Sequence, residues 1–171
     1  MAKAMNFMLA LLVVTLIAWL AMCSRSCGAP AYPEGFERGL TLQEAAARAD
    51  DSGRPVLVLV VADWSQECGR LRAGALDSAR VVEWIAANTE PVCLDVSAAR
   101  TGNLEAQAAM VRLGVSELPA IVLLRRGREI GRLDAELLKG EIGSRALVQA
   151  LGQALAAADA PADEGPGDPP G

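Results

Sequence analysis

The chain has 171 residues, four cysteines, no histidine and a formal net charge of −5. The length suits one domain with extensions, and the acidic balance argues against a nucleic-acid partner. Only Cys23 and Cys27 are close in sequence, and no histidine can join them. Neither a zinc site nor any other metal or cofactor is expected.

Residues 7–22, FMLALLVVTLIAWLAM, follow Lys3 and contain one polar residue, Thr15. Roughly 20 apolar residues cross a bilayer, and signal-peptide cores span about 7 to 15. The run lies between the two lengths, so three fates stay open: a retained anchor, a cleaved signal, or cleavage with lipidation at Cys23. Leu20-Ala21-Met22-Cys23 resembles a bacterial lipobox, but Met22 stands where a small residue is expected. Ala29-Pro30-Ala31 fits an ordinary signal-peptidase site. Each fate places the following domain outside the cytoplasm, in the periplasm if the host is bacterial, where disulfides are permitted. Residues 1–23 are read as anchor or signal. Residues 24–39, with Gly28, Pro30, Pro33, Gly35 and Gly39, are read as a linker.

Thr41 and Glu44 form a capping box, which predicts a helix to about residue 51, ended by Gly53 and Pro55. Residues 56–61, VLVLVV, form an unbroken β-branched-rich run, the pattern of a strand buried on both faces. Ala62-Asp63-Trp64-Ser65-Gln66-Glu67-Cys68 follows, with a helix expected to about residue 75. Ser78 caps a predicted helix over 79–87, with Val81, Trp84 and Ile85 on one face. After Asn88 and Pro91, residues 92–96 form a second strand. Gly102-Asn103 opens a helix over 104–113, closed by Gly114. Residues 115–120 read as a loop with Pro119 near its end. Residues 121–124 and 129–133 pair as a hairpin through Gly127. Ser144 is expected to cap a last helix over 145–157, striped by Leu147, Leu151 and Leu155. The Pro/Gly-rich acidic stretch 159–171 is read as a disordered tail. This order predicts an α/β fold of three layers: a mixed central sheet of about four strands with helices on both faces.

That order, with Ala62, Trp64 and Cys68 after the first core strand, then Leu118-Pro119 and Gly127, resembles the thioredoxin-like superfamily over about residues 40–155, within a domain read as residues 40–158. The pattern is similar to that of extracytoplasmic members reading A-x-W-C-x-x-C. The resemblance implies that Pro119 follows a cis peptide bond and borders a substrate groove with Trp64. It also implies thiol–disulfide exchange on protein substrates. Two departures bear on activity. Ser65 stands where the family has its nucleophilic cysteine, and a serine hydroxyl neither ionises near neutral pH nor forms a disulfide. Leu59 stands where thioredoxins carry a buried acid. The motif is S-x-x-C, with Cys68 the remaining thiol.

Cys68 has three readings: a thiol for mixed disulfides, a peroxidatic thiol of peroxiredoxin-like type, or a buried remnant. Against the second, Val61 stands where the peroxiredoxin pattern has proline. Glu67 places negative charge beside the thiol, which works against a thiolate. Cys93, among Val92, Leu94 and Val96, reads as core. A Cys68–Cys93 bridge would need Cα atoms within about 7 Å, a question for tertiary structure. Arg125, Arg126, Arg128 and Arg132 read as a solvated turn, or as a docking patch for an acidic partner. The leading function is membrane-tethered thiol–disulfide exchange, as in cell redox homeostasis, through a degenerate site. The alternatives are a non-catalytic binding module for a partner protein and a single-cysteine peroxidase.

Overall fold

The computed structural model describes residues 32–97, 104–140 and 142–160. The apolar run at 7–22, Cys23, Cys27, Gly102-Asn103 and the acidic tail beyond residue 160 lie outside the described residues. Among the described residues no helix is long and apolar enough to cross a membrane.

Among the described residues, six α-helices and four strands follow in the order α1 (Leu42–Ser52), β1 (Val56–Val61), α2 (Gln66–Leu71), α3 (Ala79–Asn88), β2 (Glu90–Asp95), α4 (Leu104–Arg112), β3 (Ala120–Arg125), β4 (Arg128–Leu133), α5 (Ala135–Leu138) and α6 (Ser144–Asp159). The Thr41 hydroxyl accepts the Glu44 N–H at 3.2 Å, and Glu44 Oε2 accepts the Thr41 N–H at 2.9 Å. This reciprocal cap satisfies two otherwise unpaired donors at the start of α1. Gly53, at φ +72°, closes the helix in the left-handed region that glycine enters freely.

The sheet runs in the order β2-β1-β3-β4. β1 is parallel to β2 and antiparallel to β3, and β3 pairs antiparallel with β4. β1 is thus central, and all six of its residues are buried. Its continuous apolar pattern has that cause: neither face of the strand meets water. One face carries Val56, Val58, Val60, Val92, Leu94, Val122 and Leu124, packed with Ala45 of α1 and with Ala106 and Ala109 of α4. By alternation, Leu57, Leu59, Cys93, Ile121 and Leu123 point the other way. There α2, α3 and α6 supply Leu71, Ile85, Leu147 and Leu151, all buried. Gly131 permits the close approach of α6 to β4, since a Cβ added there would lie 3.1 Å from Ala154 Cβ. The β3–β4 hairpin turns through Arg126 and Gly127, at φ +51° and +73°. Two consecutive positive φ values make the primed turn that matches strand twist.

Three local expectations need correction, and one short helix is new. The segment after Trp64 is not one helix to residue 75: α2 ends at Leu71 and continues as a π-helical turn over Arg72–Leu76. β2 begins at Glu90, so Pro91 lies inside a strand rather than before it. An edge strand tolerates proline, because one side of its backbone has no partner to lose. Ser144 does not cap the last helix; Gly143 holds the N-cap position, and Ser144 is the first helical residue. The short helix α5 was not anticipated, because one turn is too brief to show a period.

Candidate functional site

The end of β1 and the start of α2 build the site. Ser65 takes extended backbone at φ −87°, ψ 114°, and serves as N-cap of α2. Its Oγ accepts the Cys68 N–H at 3.4 Å, and Gly69 N–H donates to the Ser65 carbonyl at 3.3 Å. Ser65 is half-buried, while Cys68, one turn inward, is buried at 6% exposure. The polar oxygen therefore sits at the surface and the sulfur beneath it. Glu67 is turned to other partners. Its Oε1 takes Arg70 Nη1 at 2.5 Å, and its Oε2 accepts the Gly140 N–H at 3.5 Å.

The rim of the site is tied across the sheet. Asp63 N–H donates to Ser97 Oγ at 2.7 Å, and Ser97 N–H donates to Asp95 Oδ1 at 2.9 Å. These bonds join the ends of β1 and β2. Trp64 is 69% exposed, which is unusual for a large aromatic side chain. The Leu118–Pro119 peptide bond is cis. Trp64, Ser65, Val96, Met110 and Leu118 line an open groove of about 510 Å³. Pro119 is buried and is not among the lining residues, so the groove assigned to Trp64 and Pro119 is bordered by Leu118 in its place. Met110 and Val96 are among the lining residues that the sequence does not point to. They come from α4 and from the end of β2, distant segments with no shared local signal.

Leu59 is fully buried and opposite Cys93 in register. No acid stands at that position to assist proton transfer at Cys68. Cys68 and Cys93 are both free thiols. Burial pushes the Cys93 thiol well above the ordinary cysteine range, with smaller contributions in the same direction from Asp95 and Cys68. Tyr32 Oη donates to the Cys93 carbonyl at 3.2 Å, and burial raises its phenol as well. Among the described residues no cluster of acidic or thiol side chains could hold a metal ion. Of the hairpin arginines, Arg125 pairs with Asp159 at 2.5 Å. Arg132 pairs with Glu129 at 2.6 Å and donates to the Leu113 carbonyl.

A β2-β1-β3-β4 sheet between two helical layers, with a cis-proline loop beside a helix N-terminus at the end of the central strand, defines a thioredoxin-type α/β protein. The chain belongs to the thioredoxin-like family, whose domain matches residues 42–153. Among solved structures it is similar to a DsbH oxidoreductase, at 16% identity and TM-score 0.60, over 78% of this chain and 97% of that one. It is also similar to a thioredoxin from Thermus thermophilus, at 23% identity and TM-score 0.57, over 70% of this chain and 88% of the other. A third likeness is to the DsbD C-terminal domain of Neisseria meningitidis in its oxidised form, at 19% identity and TM-score 0.51, over 65% and 90%. No curated protein matches the chain in sequence.

Proposed function

We propose that this chain is a membrane-tethered, extracytoplasmic thioredoxin-like protein that acts on protein thiols and disulfides through one thiol, Cys68. The observation that carries the reading is the Ser65–Cys68 arrangement. The helix N-terminus and the groove beside it are kept, while the outer position holds a hydroxyl and the inner one a thiol. An extended segment of a client protein lies in the groove against Trp64 and Leu118, held by main-chain hydrogen bonds and apolar contact. Its cysteine then meets Cys68 alone. The apolar run at 7–22 supports the tether, and intact mass of the mature membrane-fraction protein tests it.

Client complexes resolved under non-reducing conditions test the chemistry. Mixed disulfides should form and should vanish in Cys68→Ser. The 6% exposure of Cys68 favours a second reading, a non-catalytic binding module. That reading takes over if client complexes survive both reductant and Cys68→Ser. No observation favours the peroxidase alternative, since Val61 replaces the proline of that pattern and Cys68 is buried.

A further inference from the structure

Cys93 is a buried nucleophile that the function proposed above leaves unused. The register of β2 on β1 sets Cys93 opposite Leu59, on the sheet face away from the cluster packed with α1 and α4. Cys68 is the buried residue of the first turn of α2. Neither thiol belongs to the cluster on the α1 and α4 face, and both are buried, at 6% and 2% exposure, and free. They are near enough for charge on Cys68 to bear on Cys93. Asp95 is the other titratable group acting on Cys93, and Cys93 in turn acts on Tyr32. α2 has only six residues before the π-helical turn, and such turns recur at functional sites.

We propose that Cys68 and Cys93 form a redox pair, in which Cys93 takes the partner role that Ser65 cannot fill. The proposal rests on the reading of Cys68 as an exchange thiol. Cys68 attacks one sulfur of a client disulfide, forming a mixed disulfide and expelling the first client thiolate. Cys93 then attacks the Cys68 sulfur, breaking the mixed disulfide and expelling the second. The client gains two electrons, the two thiol protons end on its two sulfurs, and the chain keeps a Cys68–Cys93 disulfide. Forming that bond requires Cα atoms within about 7 Å. Because Cys93 carries little thiolate near neutral pH, the second step is slow, and the pair works once per reduction rather than in rapid turnover.

The test treats the full-length chain with oxidised glutathione, followed by peptide mapping without reduction, in wild type and in Cys93→Ala. The expected result is a Cys68–Cys93 linked peptide in wild type and a stable glutathione adduct on Cys68 in Cys93→Ala. An adduct on Cys68 in both proteins, with no linked peptide, overturns the redox pair and leaves the single-thiol function standing. Unmodified Cys68 in both overturns the exchange thiol and the pair together. The linked peptide in wild type is decisive even if the variant folds poorly.

Discussion

The Ser65 hydroxyl oxygen accepts the backbone N–H of Cys68 at 3.4 Å, so Ser65 caps the helix on which the Cys68 thiol sits. Serine is among the best N-cap residues, and its extended backbone at this corner is what the cap requires. Serine at the outer position of the S-x-x-C motif thus supports the local fold. Ser65→Ala should cost about 1 kcal/mol of stability. Urea unfolding measures it, and a loss well under half of that would mean the cap contributes little.

Ser65→Cys should place two thiols at dithiol spacing on an intact corner. Mild oxidant is expected to join the new thiol to Cys68, and insulin-disulfide reduction should rise at least tenfold above a wild-type level near background. Wild-type turnover comparable to an ordinary thioredoxin would contradict the assignment of Ser65. A variant that stays reduced would show that the corner no longer has dithiol geometry.

Trp64→Ala separates the groove from the fold. The side chain is 69% exposed, so its removal should change stability by no more than about 0.5 kcal/mol. Client retention, measured by co-purification under non-reducing conditions, should fall severalfold. Unchanged retention would move the client away from the Trp64–Leu118 groove.

Cys93 makes a pH prediction with a definite sign. Its thiol is raised in the folded state relative to the ordinary value of 9.0, so above about pH 9 the unfolded chain releases a proton that the folded chain keeps. Stability from this group is complete below that pH and is lost as pH rises, at up to about 1.4 kcal/mol per pH unit. Tyr32 acts in the same direction at higher pH. Cys93→Val keeps an apolar side chain and removes the thiol proton. Its denaturant midpoint should fall less steeply than wild type between about pH 9 and 10.5. Parallel slopes would show that Cys93 titrates normally.

Residues that act on their near neighbours were legible in the sequence. The Thr41–Glu44 box, the unbroken apolar run of β1, the Arg126-Gly127 turn and the stripe of Leu147 and Leu151 each express a constraint spanning a few residues. The S-x-x-C spacing is also visible without any fold. What depended on partners far along the chain was not. Pro91 is admissible in β2 only because that strand is an edge. Leu118 rather than Pro119 meets the groove, alongside Met110 and Val96 from other elements. The face that carries Cys93 follows from strand register, and a shift of one residue would turn it to the opposite face. Caps, turns and periodicity are set by local backbone sterics and hydrogen bonds. Register and layer are set by packing across the sheet, and only the folded chain decides which thiols meet.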